Sequence, residues 1–579
     1  MDVSLGIDFG TTYSVVAKLK DASLAVPSVE AVRFQAFRNS AVVDSIVAED
    51  TSLRTRRYFG RNARTKAAQP GFKVYKGFKM LLSEAPQDVE ALSRLQENGF
   101  ENREQPAEIT KEFLTKLIEQ YRQQYPQENV SKITIGVPEI WFDTSFNCRR
   151  ILKNIVEEII GTGNVQLESE PKLACAFFVY NYKIRTGNDF AGHILLIDYG
   201  GGTLDITICE VDNHNGTPII SIKYKDGAGA NTQKKIGSAG LLYQQEILNL
   251  TLMENGVREE DIQINNSYYY CLHRIEDSLL SNQQDIGEVF SANEGAYPLE
   301  EINDQFGEPI VYNDRIYTVK YGTLFKAYRV IERILGEKLA DAIAKMDELG
   351  INYADSQSDS FKIALVGGFC SFFLTRRQIE TTAGLTRGGT YDDRRYYDFD
   401  TYLANEEDRE NAVAYGAALL ANDLVSFKRQ APYSLSLLPL IRVNGVDRPN
   451  LEVDPLVVFE ENDEIVFDQP YFARAVRRDA NGQPEVDKNG NKIMMVPTIS
   501  ASRIPFIMKS VGRHNWIERP SQALNVPDFP VRIGFSLNRN MELSMLTTDT
   551  DGNVITMTEL HQNINDLLGG IPYHFEEEV

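Results

Sequence analysis

The feature that most restricts how this chain can fold is a hairpin that occurs twice. Residues 5–19 read LGIDFGTTYSVVAKL, and residues 195–211 read LLIDYGGGTLDITICEV. Each copy sets out an apolar strand, an aspartate, an aromatic residue, a glycine-rich turn with threonine, and a second alternating strand. Glycine is a poor strand residue, and a carboxylate in a half-apolar hairpin is costly unless something pairs with it. A spacing of about 190 residues is far too long for a solenoid repeat. It predicts two related lobes, each carrying its own glycine hairpin.

Strand and helix patterns follow each copy. SKITIGVPEI (131–140) reads as a strand ended by Pro138, and 143–161 as a helix with Asp143, Thr144 and Ser145 as cap candidates and Gly161 as its stop. In 108–125, Ile109, Phe113, Leu117 and Tyr121 share one helical face. The second half offers a long helix through 322–346, a strand and glycine turn at KIALVGG (362–368), and a helix of small residues at ENAVAYGAALLAND (410–423). Strands alternating with helices predict an α/β class.

Past residue 430 the texture changes. APYSLSLLPL, PLVVFEENDEIVF, FPVRIGFSL and MELSMLTTDTDGNVITMTEL are strand-like runs separated by Pro, Asn-Gly and Asp-Gly. A helical period returns only in a short piece near 558–568. The boundary falls at 424–432, which predicts an α/β domain over 1–425 and a smaller all-β domain over 432–579. The polar segment 477–492 is expected as an exposed hairpin or loop.

Composition narrows the function classes. A net charge of −22 argues against a nucleic-acid or anionic-membrane surface. Five scattered cysteines without a CxxC pair read as reduced core thiols. The start MDVSLGIDFG has neither a basic nor a long apolar run, and no stretch of about 20 apolar residues is present, so a cytoplasmic location is expected.

Successive glycines let backbone N–H groups converge on one point, a nest that binds phosphate oxygens. Carboxylates beside phosphate repel it, so Asp8 and Asp198 make sense there only with a divalent cation. Magnesium, held by one or two carboxylates plus phosphates, suits them. Thr11, Thr12 and Thr203 add hydroxyls at the same turns. The alternative is that each glycine run is merely a tight hairpin. Two copies in matching lobes, followed by LVGG and AVAYGA, point instead to a nucleoside triphosphate clasped between the lobes.

Together these motifs resemble the actin-like ATPases, and specifically the heat-shock protein 70 family of chaperones. GIDFGTTYSVVA is similar to that family's first phosphate loop and IDYGGGTLDITI to its second. ITIGVPEIWFDTSFNCRRIL with ESEPKLACAF resembles its first connecting segment, IALVGG its adenosine-binding turn, and ENAVAYGAALLA its second connecting helix. The likeness covers 1–425 and continues weakly into APYSLSL and FPVRIGFSLNRNMELSMLTTDTDGN. It implies a duplicated two-lobe actin-like ATPase fold followed by a β-rich peptide- or partner-binding domain.

The resemblance also implies roles. Asp8 and Asp198 would lie in the water shell of magnesium, with Asp205 nearby. Thr11, Thr12 and Tyr13 would meet phosphate through backbone and hydroxyl, and Thr203 the γ-phosphate and its attacking water. Lys79 matches the family's catalytic lysine, with Lys76 as second candidate and a solvated surface charge as the bland reading of either. Glu170 matches a glutamate near magnesium and the nucleophilic water. Gly10, Gly200, Gly201, Gly202, Gly367 and Gly368 would let backbone approach the nucleotide, and Gly237 and Gly240 resemble a further turn of that kind. Pro138 and either Arg149 or Arg150 match positions that relay nucleotide state.

Two regions depart from the family. After VGG stand Phe369, Cys370 and Ser371 in place of a serine and an arginine, and LHRIEDSLLS (272–281) carries acids where a lysine is usual. Phe369 could stack on a base or fill core. After the β domain only TELHQNINDLLGGIPYHFEEEV stands where members carry a helical lid, so a bound peptide would be poorly retained. The expected function is an ATP-hydrolysing chaperone with ATP and magnesium as cofactors. It would act on a client or dedicated partner, with a co-chaperone or exchange factor possible. The rivals are an ATP-binding scaffold with little hydrolysis and a sugar kinase or filament-forming relative; the β domain and GTTYS speak against the latter two.

Overall fold

A computed structural model describes residues 2–20, 27–53, 56–67, 69–82, 95–96, 98–139, 141, 146–214, 217–228, 240–293, 298–353, 360–382, 386–387, 390–391 and 406–427. Of the remainder it describes 429–430, 433–437, 440–443, 446–449, 454–460, 463–467, 469–488, 490, 492–499, 503–504, 506–510, 516–518, 524–525, 529–537 and 542–563. The chain divides into two compact units, Met1–Phe142 with Asn147–Phe427, and Asp143–Phe146 with Lys428–Val579.

The larger unit holds two sheets of matching design. Strand β1 (Asp2–Phe9) turns back antiparallel into β2 (Tyr13–Leu19), which continues to β3 (Val29–Ala31). On its other side β1 runs parallel to β4 (Asn129–Val137), itself parallel to β5 (Val165–Ser169). The second sheet repeats the plan with β6 (Gly192–Tyr199), β7 (Leu204–His214) and β8 (Thr217–Ala228) as the meander, and β9 (Phe361–Val366) parallel to β6. The repeated hairpin thus heads a repeated sheet.

Helices cover these sheets where the apolar period places them. Gln105–Gln124 buries Ile109, Phe113, Leu117 and Tyr121, and with Phe146–Ile160 it closes the first core. The cap candidates 143–145 lie outside the described residues. In the second lobe the helices Gly240–Glu254, Asn266–Ser281 and Tyr321–Glu348 pack a separate core. A third core is shared by both sheets. Helix α1 (Glu170–Thr186) and helix α2 (Glu406–Ala421) cross there, packing Val15 and Ala17 with Ile194 and Leu196.

Small residues make that crossing possible. A Cβ on Gly416 would sit 1.8 Å from the Leu173 carbonyl oxygen, and one on Gly6 would sit 2.2 Å from the Ala418 nitrogen. Helix α1 begins with Pro171 in its first turn and ends at Gly187, whose φ of 72° is the left-handed conformation suited to a helix stop. All five cysteines are buried and form no disulfide. Among the described residues no helix is long and apolar enough to cross a membrane.

The smaller unit is built of strands. One four-stranded sheet joins Leu456–Phe459, Tyr433–Leu437, Phe506–Ser510 and Trp516–Glu518, and another joins Tyr471–Phe472, Arg532–Leu537, Glu542–Thr548 and Val554–Asn563. Leu435, Leu437, Phe459, Ile533, Phe535, Leu537 and Leu543 form its core. The helical piece expected near 558–568 is strand as far as Asn563, paired along Glu542–Thr548. Residues 477–488 are largely exposed and turn tightly, with backbone bonds from Arg477 N to Ile493 O and from Asp479 N to Gln483 O.

Candidate functional site

The two glycine turns lie against each other. In the first hairpin Asp8 stands opposite Val15. In the second Asp198 stands opposite Asp205 and Tyr199 opposite Leu204, with the Gly200 N–H closing the turn on the Thr203 carbonyl at 3.2 Å. A Cβ on Gly201 would sit 2.2 Å from the Thr12 hydroxyl oxygen, and one on Gly202 would sit 3.0 Å from that of Thr11. The threonines of one turn thus fill the space that the bare backbone of the other leaves open. Gly367 closes in from β9 with φ of 81°; a Cβ there would meet the Tyr199 backbone at 2.7 Å.

These turns border a cavity of about 510 Å³, lined among others by Asp8, Lys79, Glu170, Asp198, Thr203 and Gly368. Lys79 is buried, and its ammonium donates to Glu170 Oε1 at 2.6 Å. Glu170 opens helix α1. Burial first, then the Glu170 charge, pushes the Asp8 carboxyl up to about 7, with Lys79 opposing. Asp205 is pushed up to about 7 by burial, Glu170 and Glu139, and its Oδ2 has no hydrogen-bond partner. Asp198 is raised well above the carboxylate range by burial, Glu170, Asp205 and Asp8. Lys79 is the cation that opposes the rise at all three.

Half-buried and buried carboxylates that raise one another's proton affinity form a site short of positive charge. An orphaned oxygen on Asp205 and hydroxyls on the facing turns add oxygen donors of the type a hard divalent cation takes. The residues therefore fit magnesium. Among the described residues, however, no three His, Cys, Asp or Glu side chains converge as a direct metal cage. Asp8, Asp198 and Asp205 are neighbours in charge rather than a ready-made ligand triad, in keeping with an ion that keeps its water.

Several expected positions fall elsewhere. The Tyr13 hydroxyl does not point into the phosphate turn; it donates to Glu276 Oε1 at 2.7 Å and accepts from Arg64 Nη1 at 3.0 Å. Lys76 is not a solvated surface charge. It is half-buried in the cavity wall with its ammonium 4.6 Å from the Tyr269 ring centre, and burial pushes its amine down to about 8. Phe369 is half-buried in an aromatic cluster, 5.6 Å from Phe372 and 5.0 Å from Tyr199 between ring centres, and it also lines the cavity. Pro138 lines the cavity; Arg149 is buried and Arg150 exposed. Gly240 donates its N–H to Gly200 O at 3.2 Å, while Gly237 lies outside the described residues.

One group was not anticipated. Arg64 donates to Asp44 at 2.6 Å and to Glu276 Oε2 at 2.6 Å, and also meets His273 Nδ1. With Tyr13 it clamps the first lobe to the helix Asn266–Ser281 of the second. The only trace in the sequence is the run 54–79, rich in Arg and Lys and free of acid within an acidic chain.

Matched lobes meeting at two glycine turns define the class of the actin-like ATPase fold. Within that class, residues 4–217 match the family model described as Hsp70 protein. The chain is similar to a ribosome-associated molecular chaperone of Zygosaccharomyces rouxii, at 27% identity over 224 residues, 36% of this chain and 34% of the relative. It is similar to the chaperone protein DnaK of Deinococcus deserti, at 27% over 246 residues, 39% of this chain and 34% of the relative. A chaperone protein DnaK of Thermus thermophilus is 27% identical over 243 residues, 39% of this chain and 35% of the relative. The alignments thus span about a third of the length of these relatives.

Proposed function

We propose that the larger unit binds ATP with magnesium and hydrolyses it slowly, and that nucleotide state sets how tightly the β unit holds a client or dedicated partner protein. This is the activity of a cytoplasmic chaperone, assisted by a co-chaperone or exchange factor. The observation that carries the reading is the apposition of the two glycine turns around Lys79, Glu170, the half-buried Asp8 and Asp198 and the buried Asp205.

Each residue has a role in this reading. Backbone at Gly10–Tyr13, Gly200–Thr203 and Gly367–Gly368 receives phosphate. Asp8, Asp198 and Asp205 would hold magnesium, which would supply positive charge against the phosphates. Lys79 places positive charge on the transferring phosphoryl group, a reaction governed by positioning and electrostatics more than by covalent chemistry. Glu170 holds the Lys79 ammonium, and Glu170 and Thr203 orient the attacking water. Coupling to the β unit is limited by how differently the two nucleotide states bind the partner.

The test is the melting temperature of the full chain with ATP and magnesium, followed by turnover. Binding to the native state must raise the melting point; an unchanged one ends the reading. Turnover should fall in Lys79→Ala while nucleotide binding persists. A wild type that binds ATP and turns over no faster than that variant is a scaffold instead. Deleting 432–579 should abolish partner binding and leave an ATP-binding fragment.

A further inference from the structure

We propose that Glu139 is a positioning residue for hydrolysis: its ion pair with Lys225 holds the strand that carries Asp205 in place against the head of helix α1. The inference rests on the reading of the cleft as a site of ATP hydrolysis.

Glu139 follows the end of strand β4 in the first lobe. Val137, two residues earlier, pairs with Ser169, and Ser169 precedes Glu170, which holds the Lys79 ammonium. Glu139 is buried there, and its Oε1 accepts from Lys225 Nζ at 3.1 Å. Lys225 belongs to strand β8 of the second lobe. Where β8 pairs with β7, Lys225 stands opposite Thr207 and Gly227 opposite Asp205. Opposed residues, and residues two apart, share one face of a sheet. Lys225 and Asp205 therefore emerge on the same face. Gly227 leaves room for the acid: a Cβ there would sit 3.2 Å from Asp205 Oδ1. The ion pair thus joins the lobes where the charge of Glu170 in one acts on Asp205 in the other.

The charges make this more than a surface contact. Burial would raise the Glu139 carboxyl, yet Lys225 and then Lys172 hold it below the ordinary glutamate range, so it is ionised at neutral pH. Its charge reaches Asp205, where it is one of the groups raising the carboxyl. A buried carboxylate answered by a lysine is costly to break, because the partner left behind is uncompensated. Neither Glu139 nor Lys225 is among the residues lining the cavity, so the pair acts through the groups it holds. In the reading above, phosphate affinity resides in the glycine turns, whereas hydrolysis needs Glu170 and Asp205 at a set separation. A misplacement of about 1 Å can cost roughly a hundredfold in rate.

The experiment measures single-turnover hydrolysis and the dissociation constant for ATP, with magnesium, in the full chain and in Glu139→Ala, Lys225→Met and their double variant. Each single change should slow hydrolysis by about tenfold or more while ATP affinity barely moves. The double variant should be no slower than the worse single one, since the two residues act as a unit. Lys225→Met keeps the apolar stem at a half-exposed position, so it carries the test alone if Glu139→Ala does not fold. Lys338→Met is the control: Lys338 donates to both Asp226 oxygens at 2.8 Å, one residue along β8 and on its opposite face. That variant should hydrolyse at the wild-type rate. Wild-type rates in the Glu139 and Lys225 variants, additive losses in the double, or a loss of affinity as large as the loss of rate overturns the inference and leaves the ATP reading intact. An equal loss in Lys338→Met overturns it too. A wild type that binds no ATP, or binds and does not hydrolyse it, overturns both.

Discussion

The two glycine hairpins share a backbone plan and divide the chemistry unequally. In the first, Asp8 faces an apolar residue, Val15, and the turn carries the bulky Thr11, Thr12 and Tyr13. In the second, Asp198 faces another acid, Asp205, and the turn is bare from Gly200 to Gly202. The first lobe also supplies Lys79, the cation opposing all three raised aspartates. One copy therefore contributes side chains and positive charge, the other open backbone and extra negative charge. A duplicated fold has become two complementary halves of one site.

The largest break in that division is removal of its cation. Lys79→Ala should lower hydrolysis by about a hundredfold or more, roughly 3 kcal/mol of barrier, with nucleotide affinity much less changed. Lys76→Ala, behind the clamp, should do far less. Single-turnover rates of the two variants decide it; the reverse order would move the catalytic charge to the other lysine.

The charge imbalance also has a pH signature. In the nucleotide-free protein Asp8 and Asp205 sit at about 7, against an ordinary value near 4. A carboxyl raised by folding favours the native state while protonated. Its contribution is complete below about pH 4 and is lost as the pH rises through about 7. Stability to urea should therefore fall between about pH 5 and 7, by up to about 1.4 kcal/mol per pH unit for each proton involved. Asp205→Asn should flatten the profile, and magnesium with ATP should do likewise. A profile that rises over this range would show these carboxylates to be paired already.

The fit of threonine over glycine gives a smaller effect. Gly201→Ala places a methyl 2.2 Å from the Thr12 hydroxyl, which can yield by rotating. A loss of about tenfold in triphosphate affinity, near 1.4 kcal/mol, is expected. Adding Thr12→Ala should recover part of it, because the two residues share one space. Strict additivity in that double mutant would mean the turns do not meet as described.

How much of this could be read from the chain follows from the range of the forces involved. The hairpins, the helix read at 108–125 and the small-residue helix read at 410–423 were legible because periodicity and glycine placement are local. Lys76 was misjudged because Gly77, at φ 61°, turns the chain between the two lysines and sends them to different partners, Tyr269 and Glu170. The segment 554–563 was ambiguous because VITMTELHQN suits either period until a neighbouring strand decides. The clamp was invisible because Arg64 and Glu276 are 212 positions apart, and nothing near either residue names the other.

The last and smallest effect concerns Tyr13, the first-hairpin side chain that hydrogen-bonds to the helix Asn266–Ser281 of the second lobe. Tyr13 gives its hydroxyl proton to Glu276 and accepts from Arg64, so the clamp runs through the same turn that would hold phosphate. Tyr13→Phe keeps the ring and removes two hydrogen bonds to charged groups, each worth about 1.5–3 kcal/mol at most. Arg64 still bridges Asp44 and Glu276, so much of the clamp survives. Nucleotide release should quicken by a few-fold while association changes little, since affinity differences among related complexes appear mainly in the off-rate. Arg64→Ala, which removes both remaining bridges, should quicken it further. Stopped-flow release of a fluorescent nucleotide measures both. If release in Tyr13→Phe is unchanged and in Arg64→Ala it slows, the clamp does not close over the nucleotide, and the first hairpin's side chains serve only their own lobe.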